Sequence, residues 1–185
     1  MNRTEPIKDL ATIKIIGDYL RKENFRDYML FRCFLYLALR TQDILSLTVG
    51  DVRGKVKFDF KEKKTGKTKI IEINPELILE LNEFTKDREA DEPLFLSQMT
   101  DNGNKRPLSR EQAFRRLQRA AEALNLKSLS GHVLRKTFCY HAYMNGTPLH
   151  VLSELLNHSA ETVTRRYIGL EQENIKQAYY SVSFG

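Results

Sequence analysis

Apolar residues recur at helical spacing through the first third of the chain. Between Thr12 and Lys22 they return every third or fourth position, which predicts an amphipathic helix. Between Arg26 and Leu39 almost every position is apolar, and a segment of this kind is expected to form a helix buried on most sides. The stretch from Arg40 to Val52 predicts a short helix that ends at Gly50.

The period of the apolar residues then changes from about 3.6 residues, as in a helix, to 2 residues, as in a strand. In "KVKFDFK" the apolar Val56, Phe58 and Phe60 alternate with charged residues, and "TKIIEIN" has the composition of a returning strand. The intervening "KKTGK" contains Gly66, which can adopt the positive φ that a tight turn requires. We therefore expect one antiparallel β-hairpin inside an otherwise helical chain.

Helical patterns return after Pro75, and the fold class they indicate is α+β, mainly α, a helical bundle with a small antiparallel sheet. Ser109 is the expected N-cap of a helix, and "DEPLFLSQMTDNGNKRPLS" is expected to be an extended piece followed by a polar loop. The chain shows no repeat or linker, so we expect one domain over residues 1–185 with a tail at 171–185. The predicted helices are 76–85, 109–124, 132–144, 149–156, 161–168 and 171–180.

Composition narrows the class of protein and of partner. With 185 residues and 41% hydrophobic residues the chain can bury a core, and a formal net charge of +6 favours a polyanionic partner. The two cysteines, Cys33 and Cys139, are expected to be buried and reduced, and no Cys/His cluster predicts a metal site. Without a signal sequence or an apolar membrane span, a cytoplasmic location with no membrane partner is expected.

Four segments carry residues that could act on a phosphodiester. In "GHVLRKTF", His132 and Arg135 lie three residues apart, hence on one helix face, with Lys136 at its border. An HxxR pair alone is usually only a solvated surface. In "LALRTQDILSL", Asp43 either simply pairs with Arg40 or orients it so that its guanidinium can bind a phosphate.

The lysine-rich hairpin turn and the segment "LLNHSAETVTRRY" complete the set. The lysines could serve solubility alone, or one could reach a DNA backbone and deliver a proton. Asn157 and Ser159 are expected to end one helix and cap the next, with His158 at the junction. Alone, this segment fits a helix-turn-helix DNA-binding module.

The set together supports attack by Tyr167 on a phosphodiester. A tyrosine has a pKa near 10, so it needs cationic donors and a base to act as a nucleophile. The arginines, histidines, lysine and tyrosine supply charge stabilisation, acid and nucleophile without a metal or another cofactor.

In order and spacing these segments resemble the tyrosine recombinases, also called the phage integrase family. "LALRTQDILSL" resembles the family's first-arginine box, "KTGKTKI" its hairpin lysine segment, "GHVLRKTF" its His-x-x-Arg box, and "LLNHSAETVTRRY" the box that ends in the nucleophile. Tyr167 follows His158 by nine residues, the common spacing in that family. The resemblance extends from about Arg26 to Tyr167.

The resemblance implies a role for each matching residue. Tyr167 would attack the scissile phosphate and form a 3′-phosphotyrosyl link with a free 5′-hydroxyl. The other implied roles are phosphate binding by Arg40 and Arg135, protonation of the leaving oxygen by Lys64 (with Lys67 as second candidate), acid–base support of the tyrosine by His132, and a hydrogen bond from His158 to the phosphate. Asp43 would support Arg40, and the further DNA contacts predicted are Lys67, Lys136 and Arg165.

The sequence also departs from the family pattern. Asn157 stands where glycine is usual, Lys136 where histidine is common, and "LALR" where Gly-Leu-Arg is usual. Few residues precede the first helix, so we expect no N-terminal core-binding domain. The chain would then be either a trimmed fragment or a recombinase made of the catalytic domain alone, as in the fimbrial-type invertases.

The expected partner is double-stranded DNA, bound by a homotetramer on paired sites. The tail at 171–185 either packs on its own domain or docks on a neighbouring protomer. Two alternative functions stay open at this point. One is DNA relaxation of the type IB topoisomerase kind, and the other is a non-catalytic regulator that uses residues 148–168 as a helix-turn-helix.

Overall fold

The structure is a computed structural model that describes residues 4–61, 66–97, 105–170 and 179–183. In these ranges it is mainly helical with a two-stranded antiparallel sheet, as the sequence predicts. The elements in chain order are α1 Leu10–Glu23, α2 Phe25–Leu37, α3 Thr41–Ile44, α4 Val49–Val52, β1 Lys57–Lys61, β2 Thr68–Glu72, α5 Pro75–Thr85, α6 Arg110–Ala123, α7 Gly131–Met144, α8 Leu149–Leu156 and α9 Glu161–Tyr167.

Side-chain caps define where several helices begin. The Asp9 carboxylate accepts hydrogen bonds from the first turn of α1, and the side chain of Asn24 caps α2. Ser109 caps α6 as predicted: its Oγ accepts from the Gln112 amide, and Gln112 Oε1 accepts from the Ser109 amide in a capping box. Ser130 caps α7 through the amide of Val133, and this cap starts the helix that carries His132 and Arg135.

Helix α2 forms the centre of the main hydrophobic core. It packs against α1, α5, α6 and α7, which explains why its apolar residues occur on nearly every face. Phe31 and Phe34 are fully buried within it, and each such side chain contributes roughly 1.5–3 kcal/mol by leaving water. Helix α2 and Thr41, which begins α3, lie close to the start of α7 at Gly131.

The hairpin packs one face on this core. Strands β1 and β2 pair antiparallel with Phe58 opposite Ile71, and both side chains are buried. Val56, predicted to lie on the same buried face, is 64% exposed and lies just before the strand, which begins at Lys57. Gly66 has the predicted positive φ of 69°, and residues 62–65 lie outside the described residues.

A second, smaller hydrophobic cluster joins the end of α7 to α8 and α9. Cys139, Leu152 and Leu156 are buried in it, together with Ile168 and Leu170, which follow α9 directly. The half-buried Tyr167 packs against this cluster, which therefore holds the end of α9 in place. Both cysteines are buried, as predicted, and they do not form a disulfide in the structure.

Two predicted boundaries are wrong. Gly50 does not end a helix but lies inside α4, where its amide donates to the carbonyl of Ala90 at 2.7 Å. Ser159 is not the N-cap of α9; the cap position belongs to Ala160, which makes no side-chain capping bond. Helix α9 itself nevertheless begins at the predicted residue, Glu161.

Other predictions fall partly outside the described ranges. Leu96 forms an antiparallel bridge with Pro107, and the Ser97 amide donates to the carbonyl of Arg106, within the segment predicted to be extended, whereas 98–104 are not described. Of the predicted last helix, only Tyr179 and Tyr180 belong to the described part, and both are exposed. Every helix in the described ranges is too short or too polar to cross a membrane.

Candidate active site

An open cavity of about 820 Å³ gathers most of the predicted site residues. It lies between the α2–α3 connection, the start of α7, the α8–α9 connection and the end of α9. Asp43 is the one acidic side chain among the described residues that line the cavity, whose lining is otherwise strongly basic. The predicted residues on its wall are Arg40, Asp43, His132, Arg135, His158 and Tyr167.

A left-handed turn after α2 brings Arg40 to the cavity. Ala38 ends the helix with φ 50°, a conformation that costs an alanine about 1–2 kcal/mol and that glycine adopts freely. This is the glycine position of the Gly-Leu-Arg pattern, so the backbone shape is kept although the residue differs. Asp43, at 1% exposure, lies one turn further on in α3, and its predicted support of Arg40 stays a prediction.

Helix α7 begins unusually close to α2. A methyl group at Gly131 would lie 2.7 Å from Cζ of Phe34 and 2.7 Å from Oγ1 of Thr41, so only glycine fits there. The close approach directs His132 and Arg135, one turn apart, into the same cavity. Arg135 is 6% exposed, as expected of a guanidinium held by its surroundings in a fixed orientation.

Lys136, a predicted DNA contact, lies inside the protein. It is 7% exposed, donates to the backbone carbonyl of Thr4 at 2.7 Å, and places its ammonium 5.1 Å from the ring centre of Tyr167. The amide of Ile7 also donates to Oγ1 of Thr137, at 2.9 Å. Residues 4–9 therefore form a strap along α7, and a contact of Lys136 with DNA would require its bond to Thr4 to break.

His158 lies in the α8–α9 connection, directly after a residue with a left-handed backbone. Asn157 has φ 56°, which asparagine tolerates better than most residues, and the His158 amide donates to the carbonyl of Ser153. The ring Nδ1 lies 2.9 Å from Oγ1 of Thr164. Burial, followed by the charges of Arg135 and Arg40, lowers the pKa of His158 below its ordinary value of 6.5.

The phenol of Tyr167 lies between the two histidine rings. The ring centre of Tyr167 lies 5.2 Å from that of His132 and 5.1 Å from that of His158, and both pairs are edge to face. Its Oη lies 3.4 Å from Nδ1 of His132. Burial raises the pKa of Tyr167 to about 12 despite the opposing charges of Arg135 and Arg40, so the phenol is protonated at neutral pH.

The hairpin lysines are only partly described. Lys64, the predicted general acid, lies outside the described residues, and Lys67, the second candidate, is exposed beside the turn. Lys69 reaches further, because its ammonium donates to the carbonyl of Leu155 at 3.3 Å and so ties β2 to the end of α8. Arg165 is half-buried in the last turn of α9.

Two contributors were absent from the sequence prediction. Arg110, the first residue of α6, lines the cavity, and its place after a capping serine was the available signal. Thr164, which no sequence pattern singles out, is fully buried and hydrogen-bonded to His158. A hydroxyl three residues before the tyrosine gives no sequence signal of that contact.

Residues 9–174 match the Phage integrase family. The chain belongs to this family. It is 41% identical over 179 residues to a Bacillus subtilis protein named probable integrase/recombinase YoeC, with 97% of each chain covered. It is also 25% identical to the tyrosine recombinase XerA of Pyrococcus furiosus, but there it spans only 58% of the relative's length.

Two solved structures of recombinases have the same fold. The crystal structure of XerA recombinase superposes with a TM-score of 0.75 at 17% identity, over 98% of this chain and 65% of that one. XerH site-specific recombinase, in a post-cleavage complex with a palindromic difH substrate, gives a TM-score of 0.72 at 17% identity, over 92% and 51%. At these identities the similarity establishes the fold.

These comparisons confirm the predicted family, the predicted fold class and the predicted enzyme class of site-specific recombinase. They favour neither the type IB topoisomerase nor the non-catalytic regulator. The role of each single residue stays a prediction.

Proposed function

We propose that this phage integrase family member cleaves and rejoins DNA strands at specific sites, with Tyr167 as nucleophile. The observation that carries the proposal is the position of Tyr167, flanked by His132 and His158 in one cavity with Arg40 and Arg135. Tyr167 Oη would attack the scissile phosphorus, forming a 3′-phosphotyrosyl ester as the bond to the 5′-oxygen breaks. One ester replaces another, so no external energy source is required.

Activation of the tyrosine would depend on His132. A phenol with a pKa of about 12 is almost entirely protonated at neutral pH, so its proton must leave as the bond to phosphorus forms. The Nδ1 of His132 lies 3.4 Å from Oη and can accept this proton, and catalytic hydrogen bonds of this length often shorten when substrate binds. Burial and the charges of Lys136 and Arg135 lower the pKa of His132, which keeps it neutral and able to accept the proton.

Arg40 and Arg135 would stabilise the negative charge that develops on the non-bridging oxygens. They approach the cavity from different elements, the α2–α3 connection and α7, so they can bind two different oxygens. A guanidinium remains charged at any physiological pH and can donate two parallel hydrogen bonds to a phosphate. Arg110 extends the positive lining toward the N-terminus of α6.

Protonation of the leaving 5′-oxygen would come from a hairpin lysine, Lys64 or, as second candidate, Lys67. Lys67 and Arg165 are further proposed contacts with the DNA backbone, and Asp43 is the proposed support of Arg40. We also propose double-stranded DNA as the partner, a homotetramer on paired sites, and a cytoplasmic place of action. The DNA-bound XerH neighbour and the basic cavity support the DNA partner.

The test is covalent trapping on a nicked suicide duplex taken from the DNA that flanks this gene. The full chain is expected to form an adduct stable to denaturant, Tyr167→Phe to form none, and Tyr19→Phe, a tyrosine in α1, to form it normally. An adduct retained by Tyr167→Phe would overturn the assignment. Tight binding without any adduct would indicate the regulator, and relaxation of a plasmid that lacks paired sites would indicate a topoisomerase.

A further inference from the structure

A buried chain of hydrogen bonds leads from the backbone of α8 to His158. Ser153 Oγ lies 2.9 Å from the carbonyl oxygen of Leu149 and 2.8 Å from Thr164 Oγ1. Thr164 Oγ1 in turn lies 2.9 Å from Nδ1 of His158. Ser153 and Thr164 are both buried, so each of these short contacts needs a proton between its two atoms.

Counting protons gives the direction of every bond in the chain. There are three contacts, but the two hydroxyl groups supply only two protons and the Leu149 carbonyl supplies none. The carbonyl can only accept, so Ser153 donates to it and Thr164 donates to Ser153. The third proton must then come from the ring, and Nδ1–H of His158 donates to Thr164.

We propose that Thr164 and Ser153 are positioning residues that hold His158 in its Nδ1–H tautomer. A neutral imidazole carries one ring proton, so Nε2, the nitrogen left for the cavity that His158 lines, then bears a lone pair. A lone pair repels a phosphate oxygen. His158 therefore donates to the scissile phosphate only as an imidazolium, whose second proton comes from solvent as the DNA binds.

The surroundings of His158 make this protonation depend on the phosphate. The charges that face the ring are Arg135 of α7 and Arg40 of the α2–α3 connection, and the phenol of Tyr167 packs against it from α9. The ammonium of Lys69, on β2, donates a hydrogen bond to the carbonyl of Leu155 at the nearby end of α8. These cations disfavour a further positive charge until a phosphate anion lies among them. This part of the inference rests on the proposed function, whereas the tautomer does not.

Nitrogen NMR of the full-length protein tests the tautomer directly and without DNA. The chain has four histidines, and the His158 signals are assigned by comparison with His158→Gln. Above the pKa, wild type is expected to show a protonated Nδ1 and an unprotonated Nε2. An Nε2–H tautomer in wild type would overturn the proposal.

Ser153→Ala provides the sharper variant, because the Ser153 hydroxyl does not touch the His158 ring, and the backbone carbonyl that accepts from the His158 amide is kept. Without Ser153 the buried Thr164 hydroxyl turns its proton to Nδ1, and His158 is expected to switch to the Nε2–H tautomer. Ser159→Ala, exposed and adjacent to His158, is the matched control and is expected to leave the tautomer unchanged. Ser153 lies inside α8, where alanine is well tolerated, so the variant is expected to fold. If the His158 tautomer does not change in Ser153→Ala, the proposal is contradicted.

Cleavage of the suicide duplex supplies the second measurement. Above the apparent pKa of DNA-bound His158, wild-type cleavage is expected to fall about tenfold per pH unit. In Ser153→Ala the neutral ring already carries an Nε2–H, so this decline is expected to disappear, which mere loosening of the fold would not cause. If wild type forms no adduct but the NMR switch occurs, only the recombinase proposal fails. If adducts form without the switch, only the tautomer proposal fails.

Discussion

The phenol oxygen of Tyr167 lies 3.4 Å from Nδ1 of His132, two residues that are 35 positions apart in the chain. The contact joins the last turn of α9 to the first turn of α7. It pairs an acid with a pKa of about 12 with a base whose pKa is lowered by burial and by Lys136 and Arg135. Each side chain thus has the protonation state at neutral pH that transfer of a proton from phenol to imidazole requires.

The first prediction concerns the acid limb of the pH profile. Only neutral His132 can accept the proton, and its pKa lies below 6.5. Titration of His132 should therefore not affect the cleavage rate above that pH, and the rate should fall as the pH drops through the lowered pKa. His132→Gln should slow cleavage by about 10²–10⁴-fold and remove this acid limb. Single-turnover cleavage between pH 5 and 8 measures both effects, and an unchanged limb in His132→Gln would exclude His132 as the base.

Both site histidines also bear on stability. Their folded-state pKa values lie below the unfolded value, so the unfolded chain takes up protons first and stability falls as the pH drops below about 6.5. His132→Gln should therefore lose less stability than wild type between pH 7 and pH 5. Urea unfolding at the two pH values measures the difference.

The second prediction concerns the close packing at the start of α7. Gly131→Ala should destabilise the fold by about 1–3 kcal/mol, because the new methyl group would overlap Phe34 and Thr41. It should also displace His132 and slow cleavage. Gly17→Ala is the matched control in α1, where the nearest atoms lie at 3.6 and 3.8 Å, and there a gain of about 0.5–1 kcal/mol is expected. Equal effects at the two positions in urea unfolding would refute this prediction.

The third prediction concerns the left-handed residue before His158. Asn157→Gly and Asn157→Ala both remove the same side-chain contacts, so their difference isolates the backbone. At φ 56° alanine should be less stable than glycine by about 1 kcal/mol. At the exposed helical Glu122 of α6 the order should reverse, with glycine less stable than alanine by about 0.5–1 kcal/mol. Thermal and urea unfolding of the four variants measure the two orders.

The fourth prediction concerns the strap at residues 4–9. Lys136→Met removes the bond to the Thr4 carbonyl and should lower the free energy of unfolding by about 1.5–3 kcal/mol. Amide exchange of Ile7 should accelerate, because its bond to Thr137 depends on the same strap. Lys14→Met, which breaks an exposed pair with Asp18, should cost no more than about 0.5 kcal/mol. Slow exchange at Ile7 in Lys136→Met would show that the strap is held without Lys136.

DNA binding by Lys136→Met separates the two roles considered for this lysine. If Lys136 acts inside the protein, the slope of DNA affinity against salt concentration should match that of wild type. If it instead contacts a phosphate, the slope should decrease by about 1.

The sequence by itself determined the helices, the hairpin and the family. Apolar spacing is a local property, so α1, α2 and α5–α9 were predicted within about two residues, and four boxes in order were specific enough to indicate a tyrosine recombinase. The end of α8 at Asn157 also followed from residue type, because asparagine tolerates the left-handed conformation found there.

Only the tertiary structure decided how the side chains are used. Lys136 appeared at the border of a solvated face, but the strap from residues 4–9 covers it and supplies a buried acceptor. Thr164 gave no signal, because a hydroxyl acquires a role only through the atoms that meet it in space, here Ser153 and His158. Residue type determines which groups can donate a proton or carry a charge, and long-range packing determines which atoms those groups contact.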